Sequence, residues 1–430
     1  MTDNEKIMIA GCAAGAAAAA APAVLGYIRA TARRPISNGD FLRSENGSFI
    51  SECGEPVILK GINLNDDLLY YSGDSSMKNR DVFLSLESRF GSYGAKELIK
   101  KYNESFVSPS DIKYLRKLGA NCVRIPLRAD ILCKKETCKD DIDFDRLDFI
   151  VSKCKKAGIY VILELHSAPG FQNTDSACGK YDECRLFDSS KTGFEARNAA
   201  IRLWLQVAAH YRDEPAVAAY DLLNRPLNRV ADWESKLDML QKFYRRLYKA
   251  VRSVDGRHIM ILQAANSLES LPSAGDFGDG NLAFGVYSHF HTSFETESLK
   301  RQIKSFQHVG IPFIVCKLRS DEDYSRALTS LNDIGVSWLA GDYKGRGLKS
   351  AYLFGGEAEK ADLAADSYEA IGEKWSKPLD TKNFEENAEF AAALKEAFRY
   401  GSTSVELPEK RKKSKPKIKV RVGYNVVAGK

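Results

Sequence analysis

The amino-acid sequence predicts an α/β protein, a single (β/α)8 barrel of the TIM type with an N-terminal β-hairpin, and three observations lead there. From Val57 onward, short apolar runs alternate with stretches of helical period, the pattern of repeated strand and helix units. Eight such runs occur over about 350 residues, a length that one closed barrel takes. The composition, 44% hydrophobic and 28% charged in 430 residues, supplies a large core and excludes a mostly disordered chain.

The chain divides into residues 1–35, an apolar segment with its linker, 36–408, the barrel, and 409–430, a basic tail. Ile7 to Ile28 is uncharged and Ala-rich, and about 20 apolar residues suffice to cross a bilayer. Ala21-Pro22-Ala23 equally suits signal cleavage, so a membrane anchor and a removed signal peptide both stand open. The protein is therefore expected at a membrane or secreted. Which side it occupies is contested: Arg29, Arg33 and Arg34 follow the segment and favour the cytoplasm, whereas the cysteines favour an oxidising compartment.

Phe41 to Leu59 alternates around Glu45-Asn46-Gly47, a hairpin signal, and is placed across the barrel's lower end. Strands are expected near Val57 to Ile62, Asn121 to Ile125, Tyr160 to Leu165, Val217 to Leu223, Ile259 to Gln263, Leu282 to Tyr287, Phe313 to Cys316 and Gly335 to Leu339. The helix before the second strand has Ser108 as cap, Pro109 and Asp111 in its first turn, Ile112, Leu115 and Leu118 on one face, and Gly119 as its stop. A second runs from Trp233 through Leu240 and Leu247 to Val251. A last helix around Phe384 to Tyr400 closes the barrel.

Nine cysteines leave at least one outside any intrachain pair. Cys133 with Cys138, and Cys178 with Cys184, are spaced to close small rings or to remain reduced thiols, and neither spacing is that of a zinc knuckle. No metal or other cofactor is called for. The net charge of +6 is concentrated in Lys410 to Arg421, eight basic residues without an acid, and the remainder is nearly neutral. That balance argues against specific nucleic-acid binding by the body. The tail itself reads as solvated or as a contact for an anionic surface such as phospholipid headgroups.

The strand ends carry ordered motifs: Leu59 to Leu64, Gly119 to Pro126, Leu163 to Gly170, Ala219-Tyr220-Asp221-Leu222-Leu223-Asn224-Arg225-Pro226, and Ile311 to Leu318. Together, from about Phe41 to Phe354, they resemble glycoside hydrolase family 5, the cellulase-like and exo-β-1,3-glucanase-like barrels. The resemblance implies saccharide contacts by Arg124, His166, Asn224 and His289. Glu164 stands where aspartate is usual and is expected to orient Arg124 or His166.

The departures fall on the chemistry. A retaining glycosidase needs a proton-donating carboxyl and a second carboxylate about 5 to 5.5 Å away to attack the anomeric carbon. Here Arg225 stands at the acid/base position and Lys317 at the nucleophile position. Arginine stays protonated near neutral pH, with a pKa above about 12, and an ammonium has no lone pair to offer. His291 lies where the family usually has the tyrosine that touches the nucleophile, Gly341 falls at the stacking tryptophan, and Trp338 is the candidate to compensate, although in this register it sits inside the strand.

The resemblance thus implies a pseudo-glycosidase, a barrel without hydrolytic chemistry that retains a carbohydrate-binding or anion-binding cleft. Arg225 and Lys317 together would favour an acidic glycan, while a neutral oligosaccharide remains a possible partner. One alternative is an active β-glucan hydrolase using relocated carboxylates, Glu164 or Asp342 among them. Another is a Schiff-base enzyme acting through Lys317. The bland reading is that both cations neutralise acids left in the cleft.

Overall fold

The computed structural model describes residues 34–399 except 65–78, 134, 176–177, 179–182, 279, 291–292, 307–308, 321–323, 347–351 and 357–358. The apolar segment Ile7 to Ile28 and the basic tail lie outside the described residues, and among those described no helix is long and apolar enough to cross a membrane. Strands β1 (Arg43–Glu45), β2 (Ser48–Ile50) and β3 (Pro56–Val57) form an antiparallel sheet of three. Asn46 and Gly47, at φ 50° and 75°, make the turn between the first two, the left-handed pair that suits hairpin twist.

The barrel follows: β4 (Lys60–Asn63), β5 (Cys122–Arg128), β6 (Tyr160–Ser167), β7 (Val217–Asp221), β8 (Ile259–Gln263), β9 (Leu282–Phe290), β10 (Phe313–Ser320) and β11 (Ser337–Arg346). Each pairs in parallel with the next, and β11 pairs with β4, Leu339 opposite Gly61, to close the ring. All eight expected strands are present. A further strand, β12 (Tyr352–Gly356), runs parallel to the outer half of β11 and carries the short antiparallel β13 (Glu385–Glu386). These two lie outside the eight expected strands and add no further repeat.

The described helical segments are α1 (Asn79–Phe106), broken in two at Gly91 (φ 73°, ψ 167°), α2 (Pro109–Leu118), α3 (Ala129–Leu132), α4 (Asp145–Ala157), α5 (Lys191–Tyr211), α6 (Trp233–Arg252), α7 (Ser293–Phe306), α8 (Tyr324–Asp333), α9 (Tyr368–Lys374) and α10 (Ala388–Arg399). Between β8 and β9 the described chain returns through two 3₁₀ turns, Leu268–Ser270 and Ala274–Phe277. Helix α2 begins as its sequence predicts: the Ser108 N–H donates to Asp111 Oδ2 at 2.6 Å, satisfying a donor the helix leaves unpaired. It stops at Gly119, whose φ of 119° and 2.8 Å clearance between a would-be Cβ and Phe398 admit no side chain. The closing helix starts later than expected. Asn387 accepts the Phe390 N–H at 3.0 Å and caps α10, leaving Phe384 extended ahead of it.

Two apolar layers result. Inside the ring, Ile162, Ala219, Ile259, Ile261, Ile314, Cys316 and Leu339 pack with Leu42 and Phe49 of the N-terminal sheet, which therefore plugs the lower end as expected. Outside, the alternate strand residues and the helices' apolar faces form the larger cluster. Strands, helices and plug together hold the upper strand ends as a rigid platform.

Cys133 and Cys138 form a disulfide in the loop after β5. Of the two outcomes open for Cys178 and Cys184, the ring does not form, and Cys184 carries a free thiol.

Candidate active site

The centre of the upper face is Arg124 of β5, 1% exposed. Its Nε and Nη2 donate to Asp221 Oδ2 at 3.0 and 2.6 Å, and its Nη1 pairs with Glu164 Oε2 at 2.9 Å. Nη1 also donates to Asn63 Oδ1 at 3.2 Å, and Nη2 to Asn224 Oδ1 at 3.3 Å. One guanidinium thus joins β4, β5, β6 and the end of β7, using the several fixed donors that arginine offers and lysine lacks.

Glu164 turns its other oxygen to His166, Oε1 to Nδ1 at 2.6 Å. It orients both residues, as its place in the motif predicts. Burial opposes ionisation of Glu164, but Arg124, His166 and Lys317 hold its carboxyl below the usual range. An ionised partner makes Nδ1 the protonated nitrogen of His166. Asp221 has the opposite fate. Burial pushes it up to about 6; Arg124 pulls the other way and the neighbouring Glu164 adds repulsion. A single arginine cannot fully compensate two buried carboxylates, and the proton goes preferentially to Asp221.

Gln263, the last residue of β8, ties this centre to the acid/base position. Its Nε2 donates to Asp221 Oδ2 at 2.7 Å and its Oε1 accepts the backbone N–H of Arg225 at 3.0 Å. Arg225 has φ 47°, followed by Leu227 at 61° and Arg229 at 59°, three left-handed non-glycine residues in a run of five. Such conformations persist where surrounding bonds over-determine them. Here Gln172 Nε2 donates to the carbonyls of His166 and Asn224 at 2.7 and 3.0 Å, Leu227 N donates to Gln172 O at 2.8 Å, and Asn173 Nδ2 reaches Arg225 O at 2.9 Å.

The Arg225 guanidinium does not stand free in the cleft. Nη1 pairs with Asp175 Oδ2 at 2.8 Å, and Cζ lies 4.0 Å from the centre of the Tyr287 ring. Asp175 also accepts from Asn228 Nδ2 at 3.2 Å, with Arg229 Nε at 3.8 Å.

Lys317 follows a bulge in β10: Val315 pairs with Val286, Lys317 with Tyr287, and Cys316 is passed over with its side chain in the barrel interior. Lys317 Nζ lies 2.6 Å from Asp342 Oδ1, and Arg319 Nη2 bonds the other oxygen. Burial disfavours the Asp342 anion, yet Lys317 and then Arg319 hold its carboxyl below the usual range.

The structure therefore gathers Arg124, His166 and Asn224 into one network, with Arg225 attached through Gln263. It does not gather Trp338. Leu339 faces the interior, so alternation turns Trp338 outward, where its Nε1 donates to Asn332 Oδ1 at 3.0 Å and its ring stacks on Phe398. The expected compensation for the missing stacking tryptophan does not occur. His289 lies on β9 opposite Arg319 in register, and His291 falls outside the described residues. Arg225 and Lys317 each face an acid, Asp175 and Asp342, and share it with Arg229 and Arg319 respectively.

Four participants were not singled out from the sequence. Asp221 stands inside the quoted motif, Gln263 ends a predicted strand, and Tyr287 lies two residues from Gly285 on the interior face, so each left a trace. Asp175 sits in a loop without periodicity and left none.

A family model described as Cellulase (glycosyl hydrolase family 5) matches residues 89–339. A beta-xylosidase of Phanerodontia chrysosporium is 27% identical over 70% of this chain and 59% of its own length. A glucan 1,3-beta-glucosidase of Lachancea kluyveri is 24% identical over 64% of each. The chain thus spans about six-tenths of these curated relatives. Among solved structures, a beta-glucanase of Saccharophagus degradans in complex with cellotetraose superposes with TM-score 0.53 at 15% identity, covering 84% of this chain and 94% of that one. An endogalactoceramidase gives 0.55 at 17%, covering 84% of each. At these identities the superpositions establish a shared fold.

Proposed function

The chain belongs to glycosyl hydrolase family 5, and from that premise we propose that it is a member without hydrolytic activity, a barrel that binds a neutral oligosaccharide at its upper face. One observation carries the reading. The two positions where the family's carboxylates would stand hold Arg225 and Lys317, each ion-paired at 2.8 and 2.6 Å with an acid of this chain. Neither cation can protonate a leaving oxygen and return as base near neutral pH, and neither can attack an anomeric carbon while protonated. Among the described residues, Glu164 and Asp221 at the strand ends are engaged by Arg124, and Asp342 by Lys317 and Arg319. The Schiff-base alternative draws no support, since Asp342 beside Lys317 Nζ stabilises the ammonium over the nucleophilic amine.

A relocated-carboxylate hydrolase has one observation in its favour. Glu164 is held ionised while Asp221 is pushed up to about 6, the divergence of two acids that acid/base catalysis uses. Against it, Asp221 is 0% exposed and lies on the guanidinium that also holds Glu164.

The test is hydrolysis of soluble β-1,3- and β-1,4-glucans and aryl β-glucosides by the full-length protein, with binding followed by calorimetry. The expected result is binding without turnover. Turnover abolished by Asp221→Asn or Glu164→Gln establishes the relocated-carboxylate hydrolase instead.

A further inference from the structure

Resting on the saccharide-binding reading, we propose that Tyr287 is the aromatic platform of a subsite for neutral saccharides and that Arg225, latched to Asp175, covers it until a ligand displaces it. The platform's position follows from β9. Ala283 belongs to the barrel interior, and a Cβ built at Gly285 meets Cys316, Ile261 and Gln263 at 2.8 to 2.9 Å. Tyr287, two residues further along the same face, therefore stands at the mouth of the barrel. It is paired in register with Lys317, the nucleophile position of the family pattern.

A sugar presents a flat face of C–H groups that packs on an aromatic ring, and the family's usual floor for it is lost here: Gly341 carries no ring and Trp338 faces outward. The Tyr287 ring has a suitable shape, but the guanidinium of Arg225 lies 4.0 Å from its centre. Arginine stacks there by cation–π attraction, and the Asp175 bond at 2.8 Å fixes the other side of the same group.

The backbone is arranged for the contact. The positive φ of Arg225, held by Gln263 Oε1 and Asn173 Nδ2, aims the side chain across the β8 end toward β9. The latch gives the charge at the former acid/base position a partner within the chain. The cation is held twice, by its face against a ring and by its Nη1 against a carboxylate. A ligand that stacks on Tyr287 must compete with Arg225, whose release into solvent leaves Asp175 with Asn228 and Arg229.

The experiment titrates full-length protein with cellotetraose and with laminaritetraose by calorimetry, comparing the parent, Arg225→Ala, Asp175→Asn and Arg225→Ala/Tyr287→Ala. Circular dichroism and melting of each variant accompany the titrations. Uncovering the ring is expected to tighten binding of one tetrasaccharide by about tenfold in Arg225→Ala, to tighten it less in Asp175→Asn, and to lose the gain once Tyr287 is removed. Unchanged or weaker binding by a folded Arg225→Ala overturns the latch, as does a gain that survives Tyr287→Ala or a lack of binding by all four proteins. Should Arg225→Ala fail to fold, Asp175→Asn decides alone, with unchanged affinity overturning the proposal. Hydrolysis by the parent overturns the non-hydrolytic reading and leaves this comparison standing.

Discussion

Lys317 Nζ stands 2.6 Å from Asp342 Oδ1, a contact that joins β10 to β11 at the upper rim of the barrel. Asp342 is fully buried and serves Arg319 as well, so it is the counter-charge for two cations. Removing it while keeping both cations is therefore the damaging change. Asp342→Asn is expected to cost about 3 to 5 kcal/mol by removing the buried counter-charge that Lys317 and Arg319 share. Adding Lys317→Met should recover part of the loss, read as the return of the thermal midpoint.

The same geometry bears on restoring catalysis. Lys317→Glu alone sets a carboxylate against Asp342, and Arg225→Glu sets another against Asp175. The double reversion is expected to melt lower than the parent and to hydrolyse little. Adding Asp175→Asn and Asp342→Asn removes both repulsions, and this fourfold variant should gain measurable release of nitrophenol from an aryl β-glucoside. A silent but well-folded fourfold variant would show that the loss lies beyond these positions.

Asp221 predicts a pH dependence. Its folded carboxyl is pushed up to about 6 from an ordinary 3.8, so between those values the folded state holds the extra proton. Stability then falls as pH rises through that window and levels off above it. In Asp221→Asn this component is absent. The stability of the variant relative to the parent should therefore rise from pH 4 to pH 6 in denaturant titrations, and a constant difference would contradict the assignment.

Asp255 acts at the lower end in the opposite sense. Burial disfavours its anion, but His258, the Arg257 N–H and Tyr220 hold it at about 2 against an ordinary 3.8. Its contribution is present above 3.8 and disappears as pH falls toward 2. Asp255→Asn is expected to cost about 2 kcal/mol at neutral pH, with the deficit shrinking on acidification.

Gln172, fully buried, joins the loops after β6 and β7 through Ala168 N, His166 O and Asn224 O. Gln172→Leu strands these backbone groups and should cost about 3 kcal/mol. Hydrogen exchange should locate the loss in residues 166–175 and 222–230 rather than across the barrel.

Much of this was legible in the sequence. The eight strands, the Ser108 to Gly119 helix and the lower plug follow from hydrophobic period, caps and turn residues, which act over a few positions and need no partner. The resemblance to glycoside hydrolase family 5 singled out Arg124, His166, Asn224, Arg225 and Lys317, with Arg225 and Lys317 where it implies carboxylates. Local signals also had limits: Trp338 was a candidate for the cleft until strand alternation, fixed by Leu339 inside, turned it outward. What only the tertiary structure decided is where each charge finds its counter-charge. Closing β11 against β4 sets Leu339 beside Gly61 and carries Asp342 to the same rim as Arg124. The loop containing Asp175 reaches Arg225 only because Gln172 and Asn173 bond it to the next strand's end. Coulomb energy depends on distance and burial rather than order along the chain, so the fold and not the sequence order sets Arg225 against Asp175 and Lys317 against Asp342.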